Sequence, residues 1–195
     1  MVVVMNNQMK KQYIDLLLAT KRKGIDNLIE WLETTDFFIA PASTKYHLSK
    51  EGGLLEHSLN VYDELLKEVV VNGLNLDNSS LVIVSLLHDL CKANYYSVSE
   101  RNVKNDNKWI KEPYYTVNDQ FPIGHGEKSV IIIQKYIELT NEEIVAIRWH
   151  MGGYESKENY SYLSKVFSEY PLALMLHIAD LKSTYLKEKD SDIDE

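Results

Sequence analysis

Three places in this chain put ionisable side chains where apolar helices should be buried. His88 and Asp89 follow directly on Val82-Ile83-Val84-Ser85-Leu86-Leu87. Burying an ionised carboxylate after such a run costs several kcal/mol unless a cation compensates it. Asp180 poses the same problem inside Leu174-Met175-Leu176-His177-Ile178-Ala179-Asp180-Leu181, where helical spacing stacks it with Ala173, Leu176 and Thr184. His57 stacks with Leu54 and Val61, so it faces inward. Singly, each has an ordinary reading: a buried imidazole can be a hydrogen-bonded core residue, and a helical carboxylate can meet an arginine. Together, two buried acids and two inward imidazoles on three helices, with few buried Lys or Arg to neutralise them, call for a metal ion. Imidazole and carboxylate donors suit Mn, Fe, Co, Ni or Zn, with Mg also possible. Cys91 is the single cysteine, which excludes both a disulfide and a thiolate-rich zinc site.

Further residues could complete such a site. His125 follows Gly124 at a helix start, and His150 precedes Gly152-Gly153 at a helix end. Both are places where a side chain can turn into a cleft, the alternative being surface or capping histidines. Lys92, four residues after His88, could present its ammonium to a phosphate or simply complement a helix C-terminus. The segment Pro41-Ala42-Ser43-Thr44-Lys45-Tyr46-His47 offers hydroxyls, a cation and an imidazole just before the first histidine helix, which suits a substrate-recognition loop or an ordinary polar connection, and Ser43, Thr44 and Lys45 are candidate substrate contacts. Arg148 is another, and Trp149, Tyr154, Tyr114 and Tyr115 could stack a base or merely pack. Glu56 and Glu127 flank candidate histidines as hydrogen-bond acceptors or as a proton acceptor for water. His177 is expected to support the site and not to ligate, and His47 falls outside the apolar pattern.

The elements that must position these residues are mostly helical. Apolar periodicity predicts helices through Tyr13–Leu18, Ile25–Leu32 and Leu54–Val70, the last with a stripe of Leu55, Leu59, Tyr62, Leu66 and Val69. Turn residues over 72–80 should end that helix and begin a buried one from Leu81 to about Lys92. Tyr95–Val98 and Lys108–Val117 predict a small β-hairpin around residues 95–117, with Ser99–Asn107 as its turn. Helices are expected again at Glu127–Leu139, at Glu142–His150 with Thr140 or Asn141 as N-cap, and from Pro171 to about Leu186. The fold class is therefore mainly all-α, a helical bundle with one hairpin. One domain spans 1–195, with N-terminal helices in 1–49, a core at about 50–182 and a frayed acidic tail at 188–195.

With 195 residues, 45% of them hydrophobic, the chain suits one domain with a real core. No secretory signal is read at the N-terminus, and no apolar stretch approaches the roughly 18 to 20 residues that cross a bilayer, so no membrane partner is expected. A soluble, reducing, cytoplasmic setting fits. The net charge of −8 argues against long nucleic acid as a partner and leaves room for a small phosphate.

The segments Gly52-Gly53-Leu54-Leu55-Glu56-His57, Leu86-Leu87-His88-Asp89-Leu90-Cys91-Lys92 and His177-Ile178-Ala179-Asp180 occur in the order found in the HD-domain superfamily of metal-dependent phosphohydrolases, which this sequence resembles over roughly residues 50 to 182. The resemblance implies that His57, His88, Asp89 and Asp180 ligate one metal. It is similar too to the subset of HD proteins, including cyclic-dinucleotide phosphodiesterases, in which two more histidines hold a second metal bridged by the Asp of the pair. His125 and His150 would be those two, although Gly152-Gly153-Tyr154 departs from that subset's Gly-Tyr-Pro signature. The expected activity is hydrolysis of a phosphate ester or phosphoanhydride of a nucleotide or related small molecule by metal-activated water, with Asp89 and Lys92 in the catalytic machinery. A di-iron oxygenase on the same ligands, a 3'-end nuclease on single strands and a non-catalytic nucleotide-sensing module are the alternatives.

Overall fold

A computed structural model describes residues 2–105 and 108–188, with side chains from residue 6 onward. Among the described residues are eight α-helices and one two-stranded antiparallel sheet: α1 (Val2–Ala19), α2 (Ile25–Glu33), α3 (Gly53–Val71), α4 (Asn78–Leu87), β1 (Tyr96–Asn105), β2 (Lys108–Val117), α5 (His125–Ile133), α6 (Asn141–Trp149), α7 (Tyr160–Glu169) and α8 (Pro171–Lys182). The mainly helical class with a small hairpin is as expected. Among the described residues, no helix is long and apolar enough to cross a membrane.

The core forms where α3 packs on α4 and α8, and α6 on α8 and α5. On α3 the buried stripe runs through Leu54, Leu55, Leu59, Val61 and Leu65, with the expected Tyr62 and Leu66 only half-buried at its edge. Helix α4 is buried on every side from Ser80 to Leu87, and Asp77 caps it by accepting from the Ser80 N–H at 2.9 Å. It ends at Leu87 and does not run on to Lys92. Asp89 leaves the helical conformation at φ −100°, ψ 20°, and Leu90–Lys92 form a tighter 3-10 turn. That turn lets Lys92 Nζ reach back to Asp89 Oδ2 at 2.7 Å, which a capping lysine pointing into solvent would not do.

Other boundaries also differ from the periodicity, α1 among them, which runs from Val2 although the apolar pattern starts at Tyr13. Helix α5 stops at Ile133, yet Ile137 and Leu139 beyond it are buried. They are buried from turns, so burial and not helix carried the pattern there. Strand β1 extends to Asn105, and Ser99–Asn105 are strand rather than turn, paired from Tyr96 opposite Val117 to Asn105 opposite Lys108. Its polar residues face solvent and exchange cross-strand ion pairs, Arg101 with Glu112 and Lys111 with Glu100, both at 2.8 Å. The remainder of the expected turn, residues 106–107, lies outside the described residues. Helix α8 begins at Pro171 but gives way after Lys182 to one π-helical turn, Ser183–Lys187. Helix α7, which is not among the helices expected from the sequence, buries Val166 and turns Leu163 and Phe167, half-buried, to the same side.

One buried polar knot holds α4, α6 and the start of α2 together. Thr140 and Glu143 form a capping box on α6, and the fully buried Glu143 carboxylate also accepts from Ser80 Oγ at 2.7 Å and pairs with Arg22. Glu143→Ala strands a half-buried guanidinium and two other donors, the Ser80 hydroxyl and the Thr140 N–H. It is expected to cost about 3–5 kcal/mol, read as a lower urea midpoint with unchanged slope.

Candidate metal centre

Four side chains converge from three elements. His57 lies in the second turn of α3, whose N-terminus is docked tightly: a Cβ on Gly53 would lie 2.1 Å from the Leu48 carbonyl oxygen. His88 closes α4, Asp89 follows it, and Asp180 projects from α8. His57 Nε2 is 3.3 Å from His88 Nε2, 3.3 Å from Asp180 Oδ1 and 3.7 Å from Asp89 Oδ2, while His88 Nε2 is 3.5 Å from Asp89 Oδ2.

His125 and His150 arrive on the opposite side of the same carboxylate. A Cβ on Gly126 would sit 2.4 Å from the Arg148 carbonyl oxygen, so only glycine lets α5 approach the end of α6 this closely. That approach brings the two rings to 5.2 Å between centroids. His125 Nε2 is 2.6 Å and His150 Nε2 3.6 Å from Asp89 Oδ1. Each oxygen of Asp89 therefore faces a different pair of histidines.

The rings are oriented from behind. His88 Nδ1 donates to the Ser85 carbonyl at 2.8 Å, His150 Nδ1 to that of Ile147 at 2.7 Å, and His57 Nδ1 to the Glu188 carboxylate at 2.9 Å. Bonding through Nδ1 leaves Nε2 as the inward atom, the arrangement that fixes tautomer and direction in metal-binding histidines. The Nε2 of His150 is buried without a hydrogen-bond partner. Two donors at roughly 2.0–2.2 Å from one cation lie about 3.0–3.5 Å apart, and most of the separations above are close to that range. The buried residues His57, His88, Asp89, His125 and His150 could hold a metal ion, with Asp180 and His150 grouped around His88 in the same way.

The electrostatics are those of a crowded acidic cluster. Burial pushes the Asp89 carboxyl up, but Lys92 and the surrounding histidines outweigh it and hold it well below the usual carboxylate range. Burial opposes charge on His57, yet bonds to Asp180 and Glu188 win and raise it to about 10, while Asp180 falls below its usual range for the same pairing. His88, without such partners, is pushed down to about 4 by burial. Burial likewise drives the Cys91 thiol up to about 12, which leaves it a poor ligand.

A cleft of about 870 Å³ opens over the cluster, walled by Tyr46, His47, Met151, Tyr154 and Tyr185. Lys92 lines it, with Nζ donating to the Ala42 carbonyl at 2.7 Å besides its pairing with Asp89. The other expected substrate contacts are not brought here. Ser43 is buried and its hydroxyl is used within its own loop, donating to the His47 carbonyl and accepting from the Tyr46 and His47 N–H groups. Thr44 and Lys45 do not line the cleft, whereas Tyr46 and His47 of the same loop do. Arg148 also lies off it, paired with Glu127 at 2.5 Å and Glu155 at 2.7 Å and stacked over Trp149. Of the proposed aromatics only Tyr154 lines the cleft, and neither Tyr114, Tyr115 nor Trp149 does. Glu56 pairs with Lys50 at 2.9 Å, so neither expected glutamate supports a histidine.

His177 does support the site: its Nδ1 donates to the His150 carbonyl at 2.7 Å, and its ring fills the space beside Gly152, where a Cβ would collide with it. One participant escaped the sequence. Glu188, expected at the head of a frayed tail, is buried against His57 and lies on no periodic apolar face; residues 189–195 lie outside the described residues. His47, the imidazole of the loop before α3, carries a buried Nε2 without a partner, 5.0 Å from the His57 ring.

Because both histidine pairs depend on Asp89, Asp89→Asn is expected to reduce bound metal to background in elemental analysis of the purified protein. His125→Ala should leave the His57, His88 and Asp180 donors able to retain it. No family model, no curated protein and no solved structure matches this chain, so its function is argued from the geometry of this centre.

Proposed function

We propose that the protein is a metal-dependent phosphohydrolase that cleaves a phosphate ester or phosphoanhydride of a nucleotide or related small molecule, using two divalent ions that share Asp89. The observation that carries this is the division of Asp89, one oxygen toward His57 and His88 and the other toward His125 and His150, at the floor of a cleft. The order of these residues along the chain, which resembles that of the HD superfamily, supports the same conclusion. Mn, Fe, Co, Ni and Zn suit the donor set, and Mg is the hard alternative. Ions held there would activate a water as nucleophile and neutralise charge on a phosphoryl oxygen.

The protein's own groups do the rest. Lys92 Nζ is the donor placed to meet substrate oxygens, and burial with the nearby His57 charge keeps His47, which lines the same cleft, neutral at physiological pH, its pKa pushed down to about 4. Tyr46, Tyr154 and Tyr185 offer faces for a base, since all three are largely exposed and line the cleft. Among the described residues Lys92 is the one Lys or Arg in that lining, and with a chain charge of −8 this favours a small phosphate over a long polyanion.

Incubation of purified protein with Mn²⁺ and a panel of nucleotides and simple phosphate esters is expected to release phosphate or nucleoside, and Asp89→Asn should abolish that release. Wild type and variant equally inert across Mn, Fe, Co, Ni, Zn and Mg would sink the proposal. Oxygen consumption by iron-loaded protein without phosphate release would point instead to oxidation on the same ligands.

A further inference from the structure

Glu188 reaches the centre by an irregularity of the backbone. In a continued α-helix the residue that returns to the face of Asp180 is the seventh along, Lys187, and position 188 falls about 80° round the axis. The chain widens instead: Ser183–Lys187 form a π turn, closed by the Glu188 N–H donating to the Ser183 carbonyl at 2.9 Å. Such turns are rare and recur at functional sites. Its effect here is to set Glu188 behind His57, where it is 4% exposed. Its Oε2 and Oε1 lie 2.9 and 3.1 Å from His57 Nδ1, and Oε1 also accepts from Asn60 Nδ2 at 2.8 Å, one turn further along α3.

We infer that Glu188 is a positioning residue, fixing His57 with Nε2 turned toward His88 and Asp180 so that the centre's metal affinity depends on it. This rests on His57 being a ligand, as proposed above. A mere anchor for the end of α8 would bury an apolar side chain at lower cost, because a carboxylate must be fully bonded to be buried. Both Glu188 oxygens are within bonding distance of His57 Nδ1, and Asn60 supplies the remaining donor. Lys187, the residue that α-helical geometry would have placed there, points outward to Asp63 at 3.3 Å.

The test is Mn²⁺ affinity by chelator competition, with thermal unfolding in the absence of metal, on full-length wild type, Glu188→Ala, Glu188→Gln and Asp89→Asn. Glu188→Ala is expected to bind about 10–100-fold more weakly than wild type. Glu188→Gln, whose amide oxygen still accepts from Nδ1, should recover most of that loss. Glu188→Ala is expected to unfold at a lower temperature than wild type without metal, so affinities are compared where unfolding shows every variant fully folded; a loss of affinity that persists in folded Glu188→Ala is one that an anchoring role would not produce. Glu188→Ala binding within about twofold of wild type, or Glu188→Gln losing as much as Glu188→Ala, overturns the inference. If wild type binds Mn²⁺ no better than Asp89→Asn, the metal centre itself is wrong and the role of Glu188 falls with it.

Discussion

The carboxylate of Asp89 sets the terms for everything around it. It is 3% exposed at the end of a helix that is apolar on every side, and it stays ionised there only because Lys92, His57, His88, His125 and His150 surround it. Several features of the backbone serve that arrangement. The break after Leu87 turns Asp89 out of the helix, the glycine contact at Gly126 admits His125, and the last carbonyls of α4 and α6 hold the rings of His88 and His150. Helix ends leave carbonyls without helical partners, and here two imidazoles use carbonyls from the last turn.

What was legible in the sequence follows from how each residue is presented. His57, His88, Asp89 and Asp180 interrupt apolar helices, so periodicity alone marked them as buried charge in need of a partner. His125 and His150 were visible through Gly124 and Gly152-Gly153 at helix ends, whereas the glycine that admits the close approach of α5 to α6 is Gly126. The loop before α3 was read the wrong way round. Its hydroxyl and lysine looked like the chemistry, but a Ser43 hydroxyl with three backbone partners is spent on folding the loop, and what the loop delivers is His47 and Tyr46. Glu188 was dismissed with its acidic surroundings because composition reports the average of a segment, while a π turn acts on single residues.

The fold divides its labour unevenly. Helices α3, α4, α6 and α8 supply both the core and most of the ionisable cluster, so packing and site geometry share the same contacts. The hairpin lies apart from this: its strands pair mainly with each other, its ion pairs face solvent, and Tyr96 reaches inward, donating to the Ala42 carbonyl that Lys92 also uses. That shared acceptor links the ribbon to the floor of the cleft.

The groups that build the centre come from widely separated stretches, from His57 near the start of α3 to Glu188 after α8, a span of 131 residues. No local segment could assemble them, and an unfolded chain would offer them only one or two at a time. An ion held at this centre would therefore bind the folded state almost exclusively, and mass action converts that preference into stability: about 2.7 kcal/mol when free metal exceeds its dissociation constant a hundredfold. Metal supply would then govern how much folded protein persists as well as how much is active, making the chain's own abundance responsive to the ion it uses.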